Sequence, residues 1–299
     1  MLRTRLITAA ILVPLVVGVI AVGEPWISLL VGVAIFLSLV ELISLVDAAG
    51  FEPPQMLFLV AGVAVAGAGL LVANQASVAG LPADLLRATA SVGLALVVYM
   101  GAILLLGIAS FTRSDPRKGF ATWAASTFGI GYLCLLAPCI VLVAHLAPSG
   151  GSSATQIGPL NLHSGSAWVV MLLLVVWGYD TGAYLTGRWL GRTKLIIHIS
   201  PSKTVEGLAG GLVVATLAAA IGGWLVGLPT WHPLVLGPLV GLSAQAGDLA
   251  ESMLKRAADR KESGFLIPGH GGVLDRLDSF LFAAPMLAAY ALLVAGYVV

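Results

Sequence analysis

Long apolar runs, broken at intervals by short polar connections, set the pattern of this 299-residue chain. Nine of them approach the roughly 20 residues that a bilayer-crossing helix needs. They lie near 6–23, 26–46, 56–74, 84–109, 123–146, 166–187, 206–227, 233–253 and 279–298. An apolar run of this length predicts a helix, because hydrocarbon offers no water to satisfy backbone groups left open. Gly23-Glu24-Pro25 predicts a tight hairpin between the first two spans. Arg3 and Arg5 precede an apolar run longer than a signal-peptide core, so it reads as a span rather than a leader. The expectation is an all-α, polytopic membrane domain over 1–299. The N-terminal spans fill 1–165, and the helices and loops that carry function fill 166–299.

Composition supports this pattern. The chain is 59% hydrophobic and 10% charged, with a mean hydropathy of +1.02. Soluble domains carry about 25% charged residues, so a soluble protein is excluded. Charge also orients the chain. If the spans thread back and forth, 14 of the 15 Lys and Arg residues fall on one side, and only Arg87 falls on the other. The positive-inside rule makes the Lys/Arg-rich side cytoplasmic, with the N-terminus inside and the C-terminus on the far side. The loop near 147–165, which has no Lys, Arg, Asp or Glu, suits that far side. A net charge of +1, with basic residues confined to membrane-side loops, gives no nucleic-acid footprint. Cys134 and Cys139 share one span but not one helix face, and they suggest neither a disulfide framework nor a zinc site. Gly187 and Gly191 form a small-residue pair of the kind that lets membrane helices approach closely.

Carboxylates within apolar spans are costly and point to function. Glu41 and Asp180 lie inside spans, and Asp248 and Glu251 lie in the cytoplasmic third of the eighth. Glu251, Ser252 and Lys255 follow Asp248 by three, four and seven positions, which places all four on one helix face. Taken alone, that stripe also fits a helix end neutralised by Lys255 and Arg256. Beyond it runs Pro268-Gly269-His270-Gly271-Gly272-Val273-Leu274-Asp275-Arg276-Leu277-Asp278. The glycine pair permits a tight turn with amides facing an anion, and Asp275 and Asp278 open the last helix on one face. Four carboxylates with Lys255, Arg256, Lys261 and Arg276 around them suit a divalent cation and phosphates together. A second polar segment, Ser200-Pro201-Ser202-Lys203-Thr204-Val205-Glu206-Gly207, leads into the seventh span. Hydroxyls and a lysine at a helix N-terminus suit a phosphate, although a capped turn would look the same.

The last segment resembles the signature of the phosphatidate cytidylyltransferases. It matches at Ser252, Lys255-Arg256, Lys261, Pro268, His270-Gly271-Gly272, Asp275-Arg276 and Asp278. Glu262 stands where that family usually has Asp. Asp180-Thr181-Gly182-Ala183-Tyr184 and Ser200–Gly207 are also similar to the family's stretches. The resemblance implies that CTP and phosphatidic acid give CDP-diacylglycerol and pyrophosphate, in phospholipid biosynthesis. It also implies Mg²⁺ dependence, with a second, monovalent cation left open, and a homodimer in the inner (plasma) membrane with a cytoplasm-facing site. It assigns the metal to Asp248 and Asp275. Lys255, Arg256, His270, Arg276 and Asp278 are then expected at the chemistry, and Ser200, Ser202, Lys203, Thr204, Gly271 and Gly272 at substrate. A related CDP-archaeol-type enzyme and a cation-coupled transporter are the competing readings. Charge gathered at one surface, away from the midplane, counts against transport.

Overall fold

A computed structural model describes residues 2–75, 82–149, 151–152 and 154–298. The side chains of residues 2–6, 9, 75 and 82–91 lie outside the description, and with them those of Arg3, Arg5 and Arg87. The described chain is helical through most of its apolar runs. In order come α1 (Leu2–Val22), α2 (Trp26–Val46), α3 (Gln55–Gln75), α4 (Pro82–Ser110), α5 (Pro116–Ile130) and α6 (Pro138–Ala144). Then follow α7 (Ser164–Leu190), α8 (Val205–Val226), α9 (His232–Ala257) and α10 (Leu274–Leu293). Among the described residues, seven helical stretches are long and apolar enough to cross a membrane, and Ala10–Val22 is a shorter apolar helix. The protein is an integral membrane protein. α9 is not among the seven; it carries Gln245, Asp248, Glu251, Lys255 and Arg256.

The fifth expected span departs most from its reading. Its helix begins at Pro116 rather than near 123, because Asp115 caps it by accepting from the Arg117 amide, with proline at the first helical position. It then widens into a π-turn over Gly131–Leu135 and restarts at Pro138, whose ring cannot continue an α-helix. The polar segment before α8 also differs from a plain turn. Ser200–Thr204 forms a strand, antiparallel to Lys194–Ile196. Two-residue strand pairs join Ala147–Pro148 to Tyr297–Val298 and Gln156–Ile157 to Leu162–His163.

Contacts divide the chain into two compact units that interleave in sequence. The first comprises Met1–Val19, Pro25–Val141 and Leu254–Leu277; the second comprises Ile20–Glu24, Leu142–Met253 and Asp278–Val299. In the first unit, α2 through α5 pack around Phe58, Leu39, Leu42, Leu106 and Ile130, all fully buried. In the second, α7 and α8 form the closest helix pair, and glycine makes that possible. A Cβ on Gly182 would lie 2.6 Å from the Val214 side chain and 3.0 Å from the Gly210 carbonyl. One on Gly187 would lie 3.0 Å from Thr204 Oγ1 and 3.5 Å from the Gly207 Cα. Small residues are the usual means of such approach in a bilayer, where burial from lipid contributes little.

Gly182→Leu is expected to force α7 and α8 apart at a cost of about 1–3 kcal/mol. Thermal unfolding in detergent should fall by several degrees, whereas Gly101→Ala, which meets open space, should cause no loss.

Candidate active site

Among the described residues, a lysine–carboxylate centre forms in each unit. The first is built on the loop between α9 and α10. Gly269 and Gly271 both have φ +79°, which L side chains rarely adopt, and Ile267 and Gly271 close the turn through a backbone bridge. The Arg276 guanidinium donates to the His270 carbonyl at 2.8 Å and braces the same turn. Inside it, Asp275 receives four hydrogen bonds. Oδ1 accepts from Lys255 Nζ at 2.5 Å, and Oδ2 accepts from the Ser263 amide, the Ser263 hydroxyl and the Gly272 amide at 2.8–2.9 Å. The Lys255 and Asp275 side chains are only 11% and 8% exposed. Removing one partner would strand a buried charge, at a cost of roughly 3–5 kcal/mol.

Glu41 is the residue whose partners sequence reasoning missed. Its carboxylate, buried on α2, accepts from the Val273 amide at 3.0 Å and the Leu274 amide at 2.9 Å, and its Oε2 lies 3.0 Å from the Ser263 hydroxyl, whose one proton it shares with Asp275. It therefore caps α10, satisfying amides that a helix start leaves without partners. Gly264 and Gly272 press against this carboxylate so closely that a Cβ on either would collide with it. A lone acid in the apolar span of α2 was the only signal in the sequence. The amides expected to face an anion are thus turned inward in part: the Gly272 amide serves Asp275.

The second centre gathers around Asp248 in a cleft of about 430 Å³. Lys203 pairs with Asp248 Oδ2, and Ser252 donates to Oδ1 from one turn along α9 at 3.2 Å. Lys203 and Asp248 are 20% and 29% exposed, so water weakens this pair relative to the first. Tyr179, Asp180, Tyr184, Arg188, Ser202 and Gln245 also line the cleft. The hairpin of Lys194–Ile196 and Ser200–Thr204 delivers Lys203 to it. Thr204 lines the cleft and also caps α8, accepting from the Gly207 amide at 3.0 Å. Glu206 accepts from the Arg192 and Thr193 amides and ties the hairpin's entry to α8. Gly247 lets α9 meet α10 at the Asp278 carbonyl, where no side chain would fit.

The remaining expected residues are spread more widely. Ser200 opens its strand outside the residues that line the cleft. Arg256 donates to the Arg260 carbonyl at 3.0 Å, and Asp278 Oδ1 accepts from the Ser279 amide. His270 sits at the glycine turn, and its Nδ1 makes no hydrogen bond. Among the described residues, no group of three or more His, Cys, Asp or Glu side chains is placed to hold a metal. Asp248 and Asp275 offer the oxygen donors that a hard cation takes, and each now holds a lysine ammonium that a cation would have to displace.

The fold is a polytopic membrane protein with a lysine paired to a carboxylate in each of its two units. The chain belongs to the cytidylyltransferase family, whose model matches residues 3–294. It is 42% identical over 151 residues to the phosphatidate cytidylyltransferase of Synechocystis, covering 50% of this chain and 51% of the relative. It is 46% identical over 125 residues to that of Bacillus subtilis (41% and 46%) and 48% identical over 131 residues to that of Brucella suis (41% and 46%). The matched stretch spans about half the length of these relatives.

Glu41→Gln would point an amide NH₂ group at backbone donors. Stability is expected to fall by about 1–3 kcal/mol, read by thermal unfolding in detergent; an unchanged transition would remove the cap assigned to Glu41.

Proposed function

We propose that this protein transfers the cytidylyl group of CTP to phosphatidic acid, releasing pyrophosphate and leaving CDP-diacylglycerol in the bilayer. The observation that carries this reading is the pairing of Lys203 with Asp248 and of Lys255 with Asp275 inside a family of cytidylyltransferases. The names of the relatives supply the lipid.

The reaction joins two anions. A lipid phosphate oxygen attacks the α-phosphorus of CTP, a new P–O bond forms, and the α–β bridge breaks to release pyrophosphate. The nucleophile needs no strong base, since a phosphate monoester, with its second pKa near roughly 6, is mostly dianionic at neutral pH. Catalysis is then a matter of positioning and charge neutralisation. Lys203 and Lys255 supply ammonium groups held where carboxylates lie. Arg256 and Arg276, both exposed, and Ser202 in the cleft add phosphate donors. Ser200 and the turn of His270, Gly271 and Gly272 belong to the same proposal through the motif alone. Asp248 and Asp275 are the carboxylates that would hold Mg²⁺, with Asp278 beside Asp275 on α10. Bound Mg²⁺ would neutralise the triphosphate and the departing pyrophosphate. The Lys/Arg asymmetry supports an active site facing the cytoplasm of the inner membrane, where CTP is found. The homodimer remains an inference from the resemblance.

Purified protein given labelled CTP, phosphatidic acid and Mg²⁺ should form a CDP-lipid, and a chelator should abolish it. Absence of any CDP-lipid, with ion-coupled solute uptake instead, would overturn the proposal. Asp248→Asn should lower turnover by roughly a hundredfold or more with little change in unfolding. Asp275→Asn should lose turnover and stability together, because Asp275 also holds Lys255 and the glycine turn.

A further inference from the structure

Gln245 is 7% exposed, lines the Asp248 cleft, and has an amide nitrogen without a hydrogen-bond partner. Its other amide atom is engaged. The Tyr179 hydroxyl donates to Oε1 at 2.7 Å. Tyr179 itself is 1% exposed, and its ring is held between glycines: a Cβ on Gly211 would lie 2.7 Å from it, and one on Gly241 3.1 Å. The tyrosine thus anchors the amide at the wall of the cleft. A buried N–H donor left open costs much of what a hydrogen bond would return, so such a group signals an acceptor supplied from outside the chain.

We propose that Gln245 reads the pyrimidine of the nucleotide substrate, its amide donating to ring nitrogen N3 of cytosine. This rests on the CTP reading given above and adds the residue that selects the base. The chemistry of the cleft matches both halves of that edge. Cytosine presents two acceptors, O2 and N3, beside an amino donor. Gln245 brings the donor, and the Asp180 carboxylate, lining the same cleft next to Tyr179 in sequence, brings the acceptor for the amino group. Uracil reverses the pattern, with a carbonyl facing the carboxylate and an N–H facing the amide. The position also suits a nucleotide. Gln245 precedes Asp248 by three residues on one face of α9, about 4.5 Å of helix rise, so a base there lies one turn from the carboxylate assigned to the phosphates. Tyr179 is a positioning residue, acting through the amide that it holds.

The experiment measures KM and kcat for CTP, UTP and phosphatidic acid with purified full-length protein in lipid nanodiscs. Gln245→Met should raise KM for CTP roughly five- to a hundredfold, leave KM for phosphatidic acid in place, and bring the CTP/UTP preference toward one. Tyr179→Phe should move the same quantities less far. Asp180→Asn, which adds a donor that uracil O4 can accept, should shift preference toward UTP. A rise in KM for the lipid with CTP unmoved would overturn the proposal, as would unchanged base preference in a folded variant. If Gln245→Met does not fold, the other two variants decide, and intact CTP/UTP selection in both overturns it. If the wild-type protein makes no CDP-lipid, the activity reading fails separately. Equilibrium binding of CTP against UTP then still tests the pyrimidine assignment, and equal affinities would end it.

Discussion

A carboxylate placed within a membrane helix must find its donors in protein, because the bilayer core supplies none. Glu41 meets that demand with two backbone amides and a hydroxyl, all from the segment that starts α10. The arrangement serves both partners. The helix start needs acceptors for amides without partners, and the acid needs donors. The glycines at 264 and 272 are the geometric consequence, since nothing larger lets the backbone come so near. The turn that carries His270, Gly271 and Asp275 is thereby anchored to α2 within the first unit.

The two lysine–carboxylate pairs differ in surroundings. Lys255 and Asp275 are nearly closed off, and Asp275 shares its oxygens among four donors. Lys203 and Asp248 lie in a cleft and retain contact with solvent. A buried pair is a poor source of net stability, because desolvation offsets much of its attraction. The more exposed pair is held less tightly, because water screens its attraction.

Small residues recur wherever polar chemistry is held. Gly182, Gly187 and Gly207 bring α7 and α8 together; Gly211 and Gly241 seat Tyr179; Gly247 admits the Asp278 carbonyl. Among helices that gain little from leaving lipid, close van der Waals approach and internal hydrogen bonds do most of the holding. Glycine is abundant here because packing and polar placement both need backbone proximity.

The apolar runs determined the helices, since length and hydrophobicity are local properties and a bilayer admits little else. The motifs at 200–207 and 248–278 were equally legible, and Asp248, Lys203, Lys255 and Asp275 all stand in paired centres. The break at Gly131–Leu135 and the strand at Ser200–Thr204 were less so, because turns with proline look alike until their neighbours are known. Glu41 was visible as an anomaly but not as a cap, and Gln245 and Ser263 were not visible at all. Spacing along one helix reveals which residues share a face. It does not reveal which donor from a segment more than 200 positions away meets an acid, as Ser263 meets Glu41, and tertiary structure alone decided that pairing.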